Sequence, residues 1–179
     1  MEIKVIEMDI TKIGELADAI VNAANKYLEP GGGVCGAIFK AAGSGLEEEC
    51  RLLGGCQTGE AKATKAYRLK NKYIIHTVGP RAWEENRAEL LANCYRNCLK
   101  LADELGLESI AFPSISTGIY GYPLEEAAEV CASVICAYKP KNLKRSYMCL
   151  WNPNGNKSKI EYEIDVYNKA IAKQGGCHD

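Results

Sequence analysis

Val21-Asn22-Ala23-Ala24-Asn25, then Pro30-Gly31-Gly32-Gly33-Val34-Cys35-Gly36, then Ala37-Ile38-Phe39-Lys40-Ala41-Ala42 read in turn as a strand end, a glycine loop and a helix. Three consecutive glycines permit positive φ and leave backbone N–H groups free to converge on one concavity. At a helix N-terminus the macrodipole adds a preference for an anion. A second segment of the same design follows Ile110-Ala111-Phe112-Pro113. It runs Ser114-Ile115-Ser116-Thr117-Gly118-Ile119-Tyr120-Gly121-Tyr122-Pro123 into another helix, and it adds hydroxyls and an aromatic ring. Taken singly, either loop can be no more than a tight turn. Together, at strand ends, they predict a diphosphate held between them by main-chain amides. Neither loop carries a lysine, and neither matches G-x-x-x-x-G-K-[ST].

Outward from these loops the chain alternates. Strand patterns fall at Ile3 to Glu7, Ala19 to Ala23, Ala61 to Ala66, Tyr73 to Val78, Ser109 to Phe112 and Ser146 to Trp151, several of them continuous apolar runs that suit strands covered on both faces. Helical periodicities fall at Gly36 to Ala42, Leu46 to Leu53, Arg87 to Leu105, Leu124 to Tyr138 and Ile164 to Ala172. This alternation argues an α/β sandwich. Gly106, Pro123 and Pro140 punctuate the later helices. With 179 residues, 47% apolar and 25% charged, one domain over residues 1–173 is expected, with 174–179 as a flexible tail.

Composition also excludes function classes. The formal net charge is -1, so there is no global electrostatic case for nucleic acid or an anionic membrane. The basic segment from Lys139 to Arg145 reads as a solvated connection between a helix and the last strand. No apolar run approaches the roughly 20 residues that cross a bilayer, and no signal-peptide pattern opens the chain, which points to the cytoplasm. Nine cysteines at irregular spacing, with no C-x-x-C and only two histidines, argue against a disulfide framework or a structural zinc and for free, buried thiols. No metal and no cofactor is expected. The adjacent Cys177 and His178 read as part of a frayed tail.

Six segments resemble the macrodomain, the ADP-ribose-binding module, and within it the MacroD-type branch that includes bacterial O-acetyl-ADP-ribose deacetylases. They are Asp9-Ile10-Thr11, Ala19 to Asn25, Gly31 to Gly43, Thr58-Gly59-Glu60-Ala61, Ile75 to Pro80 and Pro113 to Pro123, in the family's order along almost the whole chain. The resemblance implies a three-layer α/β/α sandwich with a mixed six-stranded sheet, acting as a monomer. It implies that Asp9, beside Ile10, accepts from the adenine amine, although an Asp there can equally cap a short helix. Trp151 would lie over the adenine, or close the edge of the core. The diphosphate would lie between Gly32-Gly33-Val34 and Ser116-Thr117-Gly118-Ile119-Tyr120. The distal ribose would face Asn22, Asn25, Gly31 and Tyr120, with Asn25 as the water-orienting amide; without a ligand, such an asparagine satisfies a nearby turn. His76 is assigned no catalytic role.

One departure bears on activity. Hydrolytic members typically carry an aspartate where this chain has Cys35 and a histidine where it has Phe39. A missing general base removes about 10²- to 10⁴-fold in rate. The expectation is a module that binds ADP-ribose or ADP-ribosylated protein with weakened hydrolysis. The alternative is an O-acetyl-ADP-ribose deacetylase or mono-ADP-ribosyl hydrolase, with Asn25 and Cys35 as candidate catalytic residues. Cys35 itself can be a packing residue, a bystander of residual hydrolysis, or a helix-activated thiolate acting as nucleophile or redox gate.

Overall fold

The computed structural model describes residues 1–176; Cys177 and His178 lie outside them. Six strands form one sheet: β1 (Glu2–Glu7), β2 (Ala19–Ala23), β3 (Ala61–Lys65), β4 (Tyr73–Thr77), β5 (Ser109–Phe112) and β6 (Arg145–Leu150). The spatial order is β1-β6-β5-β2-β4-β3, with every neighbouring pair parallel except β3 with β4. Five helices cover it: α1 (Gly33–Ala42), α2 (Ser44–Leu52), α3 (Arg87–Glu104), α4 (Leu124–Ala137) and α5 (Lys157–Lys173). The sheet is therefore mixed and the sandwich three-layered, as the resemblance implies.

Alternation along the strands creates two cores. Ala19 and Val21 of β2 and Ile75 of β4 face α3, α4 and α5, where Tyr95, Leu99, Ala128 and Tyr167 complete the packing. Ile20 and Ile74 face the other way, toward α1, α2 and the short 3₁₀ turns at Ile10–Lys12 and Gly14–Leu16. By the same alternation Asn22 and His76, paired in register across β2 and β4, lie on the α1 side.

Most element boundaries fall within two residues of the sequence reading, and two helix starts differ by more. Helix α1 begins at Gly33, inside the glycine run and three residues earlier than periodicity places it, because glycine carries no apolar signal. Helix α5 begins at Lys157, not Ile164: its polar opening residues hide the start, which Asn156 caps by accepting from the Lys159 N–H at 3.1 Å. Seven cysteines, Cys35, Cys50, Cys56, Cys94, Cys98, Cys131 and Cys149, are free and buried, as small core residues. Cys136 departs from that expectation, being disulfide-bonded. Among the described residues no helix is long and apolar enough to cross a membrane.

Candidate functional site

Strands β1, β6, β5, β2 and β4 run parallel, so their C-terminal ends share one edge. From β2 the chain departs through α1 and α2 toward β3 and β4, whereas from β5 it departs through α4 toward β6 on the opposite side. The crevice between β2 and β5 is thus the topological switch point, where open α/β sheets bind ligands. Both glycine loops open onto it.

Each loop presents unused donors. In the first, Gly32 is the N-cap of α1 and supplies no side-chain cap, and the N–H groups of Gly32, Gly33, Val34 and Cys35 find no acceptor among the described residues. Of the three consecutive glycines only Gly33 takes a positive φ, +55°. Gly36 answers to a different need: a Cβ there would sit 2.3 Å from the Gly31 carbonyl oxygen, so the loop closes onto the helix only over glycine. In the second loop the N–H groups of Ser116, Gly118, Ile119 and Tyr120 are likewise without an acceptor among the described residues. Ser116 holds φ at +68°, and its buried hydroxyl has no partner among the described residues. The remaining hydroxyls turn inward and fix the loop. Thr117 donates to the Ser114 carbonyl at 3.1 Å and to Ser114 Oγ at 2.8 Å, while Ser114 Oγ meets the buried Tyr167 hydroxyl at 2.5 Å. The Ile115 N–H donates to Tyr95 at 3.4 Å.

Asn25 is clamped into its own turn. Its Oδ1 accepts from the N–H groups of Tyr27 and Glu29, each at 3.1 Å, and its Nδ2 donates to the Glu29 carbonyl at 2.8 Å. The turn-satisfying role is therefore realised, and it points the amide at the rim: a Cβ on Gly31 would lie 3.6 Å from Asn25 Nδ2 and 3.9 Å from Cys35 Sγ. Asn25, Gly31 and Cys35 meet at one point. Asn22 lies beneath them, fully buried, with Nδ2 3.8 Å from Cys35 Sγ and 3.0 Å from His76 Nδ1. His76 Nε2 in turn lies 2.9 Å from Thr64 Oγ1. Because Asn22 Nδ2 can only donate, the ring nitrogen facing it accepts, and the imidazole proton sits on Nε2. Burial lowers the His76 pKa to about 4, which keeps the ring neutral. Phe39 covers it, with ring centroids 6.5 Å apart.

Cys35 is not an activated thiolate. Burial raises its pKa, and the opposing hydrogen bonds from Asn22 and the Gly31 backbone do not overcome that. Its Sγ–H points at the Glu29 carbonyl, 3.6 Å away. A neutral thiol in that place cannot serve as a general base.

At the other end of the rim, register pairs Glu7 with Leu150, so Asp9 and Trp151 leave the sheet from neighbouring strands. Asp9 does cap the first 3₁₀ turn, its Oδ1 accepting from the Thr11 N–H at 3.0 Å and the Thr11 hydroxyl at 2.7 Å; Oδ2 has no partner among the described residues. Ile10 is buried beside it, and Trp151 is 51% exposed. The core-edge role for Trp151 does not fit that exposure.

Sequence reasoning overlooked the segment after β4. The Arg81 guanidinium lies over the Tyr120 ring at 5.1 Å and the Trp83 ring at 5.8 Å, and the Ala82 N–H donates to the Tyr120 carbonyl at 2.9 Å. Arg87 similarly covers Tyr122 at 4.9 Å. An Arg-x-Trp just past a strand end was the available signal. Tyr95 and Tyr167, which anchor the second loop from below, gave none, since an aromatic on a buried helix face reads as core.

Comparison with known proteins places this architecture. The Macro domain family model matches residues 21–131, and the chain belongs to that family. Among its relatives, a macro domain-containing protein of Chlorobaculum tepidum is 50% identical over 175 residues, covering 95% of both chains. The O-acetyl-ADP-ribose deacetylase of Salmonella typhimurium is 52% identical over 139 residues, 74% of this chain and 76% of that one. The Xenopus laevis ADP-ribose glycohydrolase MACROD2 is 45% identical over 178 residues, 94% of this chain but 40% of the longer relative. Among solved structures, the Oceanobacillus iheyensis macrodomain with ADP superposes with a TM-score of 0.82 at 37% identity, covering 94% and 89% of the two chains.

Proposed function

We propose that this chain is an ADP-ribose-binding domain that recognises ADP-ribose and ADP-ribosylated protein, with the ligand laid along the strand ends. From β1 to β2 the rim spans three inter-strand spacings, about 14 Å. Along it stand, in order, a carboxylate and an exposed indole, a bed of main-chain donors, and a clamped amide. That sequence of chemistries corresponds to adenine, diphosphate and distal ribose. Adenine meets Asp9 Oδ2, Ile10 and Trp151; the diphosphate lies between Gly32 to Cys35 and Ser116 to Tyr120; the distal ribose faces Gly31, Asn25 and Tyr120, with Asn22 supporting Cys35 from beneath.

The observation that carries this reading is the pair of unpaired N–H runs flanking the switch point. Eight N–H groups with no acceptor among the described residues, on two loops beside one crevice, suit an anion, and they do so without lysine or arginine in either loop. Calorimetric titration with ADP-ribose tests it: one saturable site is expected, and Trp151→Ala should weaken it by roughly 1 to 3 kcal/mol, the worth of a stacked base. Absence of saturable binding up to millimolar ADP-ribose would remove the assignment.

The names of two relatives favour a second reading, hydrolysis of O-acetyl-ADP-ribose or of an ADP-ribosyl linkage. The neutral Cys35 thiol supplies no base, so any such turnover would rest on Asn25 orienting water and would be slow. Product analysis on O-acetyl-ADP-ribose separates the two.

A further inference from the structure

The chain has two tryptophans, and neither is buried. Trp151 stands at the adenine end of the rim, and Trp83, 75% exposed, stands beyond Tyr120 at the other. A tryptophan left in water forgoes the large burial term that usually draws this side chain into a core. An indole held open at each end of one crevice is therefore an observation that packing does not account for.

Trp83 is fixed in place. The turn that carries it, residues 81–84 between β4 and α3, is braced from both sides: the Ala82 N–H donates to the Tyr120 carbonyl at 2.9 Å, and the Arg87 guanidinium donates to the Ala82 carbonyl at 2.8 Å. Within the turn, the Arg81 N–H donates to Glu84 Oε2 at 3.3 Å and the Glu84 N–H to the Arg81 carbonyl at 3.1 Å. The guanidinium carbon of Arg81 lies 5.1 Å from the centre of the Tyr120 ring and 5.8 Å from that of Trp83, so the two rings are no more than about 11 Å apart. The indole is thus tied to a residue of the second donor loop and set before any ligand arrives, which lowers the ordering cost of stacking on it.

We propose that Trp83, with Arg81 beside it, is a second base platform, and that the ligands of this domain include dinucleotides whose distal ribose carries a further, uncharged base. The inference rests on the rim reading above, which sets the distal ribose against Tyr120. A flat ring joined to that ribose on its Tyr120 side comes within reach of the indole, and stacking on an aromatic face accepts any base. The crevice then serves base, ribose, diphosphate, ribose and base in turn, with an exposed indole at each end. Charge selects among such rings. The ion pair of Arg81 with Glu84 is long, 4.0 Å, and leaves the guanidinium only loosely compensated. A positively charged ring such as oxidised nicotinamide meets a like charge there, whereas adenine or dihydronicotinamide does not.

Calorimetric titration of the wild type and Trp83→Ala with ADP-ribose, diadenosine diphosphate, NADH and NAD+ tests this. The wild type should bind diadenosine diphosphate about tenfold tighter than ADP-ribose, in keeping with one added stacked base. It should bind NAD+ at least tenfold more weakly than NADH, which differs from it chiefly in the charge of the ring. Trp83→Ala should bring diadenosine diphosphate back to the affinity of ADP-ribose and leave ADP-ribose itself unchanged. In Trp151→Phe, where Trp83 is the one remaining tryptophan, diadenosine diphosphate should quench the indole fluorescence and ADP-ribose should not. Diadenosine diphosphate binding no tighter than ADP-ribose, an advantage that survives Trp83→Ala, absence of quenching at saturation, or NAD+ binding as well as NADH would each overturn the proposal. Failure of the wild type to bind ADP-ribose would instead strike the rim reading itself.

Discussion

Protonating His76 sets a donor against a donor. Its Nδ1 accepts from Asn22 Nδ2 at 3.0 Å, so a proton there would face an amide that has none to accept with, inside a site with no exposure. Burial, by penalising the charged form, lowers the pKa of this ring from 6.5 to about 4 on folding. In the unfolded chain the ring takes up a proton below about 6.5; in the folded protein it does not until about 4. The stability contributed is therefore complete above 6.5 and is lost as pH falls toward 4. That gap, at about 1.36 kcal/mol per pH unit, amounts to roughly 3 kcal/mol, of which about 2 is gone by pH 4.5. Urea denaturation of the wild type and His76→Gln at pH 7 and pH 4.5 isolates the term, since every other titrating group is common to both. The wild type should lose about 2 kcal/mol more than the variant over this interval. Equal losses would refute the assignment of a neutral, Asn22-bonded ring, and with it the account of what holds Asn22 beneath Cys35.

Three further outcomes follow from the same geometry. Cys35→Asp places a carboxylate beside the Asn22 amide and the Gly31 N–H and should raise O-acetyl-ADP-ribose hydrolysis by about 10²- to 10⁴-fold; an unchanged rate in product analysis would show that the missing base is not what limits turnover. Asn25→Ala removes three hydrogen bonds from the 25–29 turn. With each worth about 1 kcal/mol net and the turn partly exposed, thermal unfolding should register a loss of roughly 1 to 2 kcal/mol, alongside weaker ADP-ribose binding by calorimetry. Arg81→Ala frees Tyr120 from its guanidinium cover and should weaken ADP-ribose by about 0.5 to 1 kcal/mol with little change in Tm. A drop in Tm of many degrees would mean that the contact serves the fold instead.

The fold was legible because periodicity and punctuation are local. Residues from Ala19 to Ala42 carry strand, loop and helix in adjacent blocks, and a triple glycine opening a helix has few other uses. The helix starts at Gly33 and Lys157 were not legible, since glycine and a polar first turn leave no apolar trace. The two glycine loops and the turn after Asn25 could likewise be read from the chain, because their chemistry is written in contiguous residues.

What only the tertiary structure decided depends on pairs distant in sequence. The state of Cys35 is set by burial against an opposing hydrogen bond from Asn22, and Asn22 in turn meets His76, 54 residues away. Neither residue's neighbours in the chain reveal the link, which exists because register sets β2 beside β4 and alternation turns both side chains under α1. The Arg81 cover on Tyr120 and the Tyr167 anchor of the second loop are likewise products of packing. Sequence by itself determined which groups this protein can offer a ligand. Folding determined which of them are charged, which are already engaged, and which remain free, because ionisation and hydrogen bonding respond to the three-dimensional surroundings of a group and not to its place along the chain.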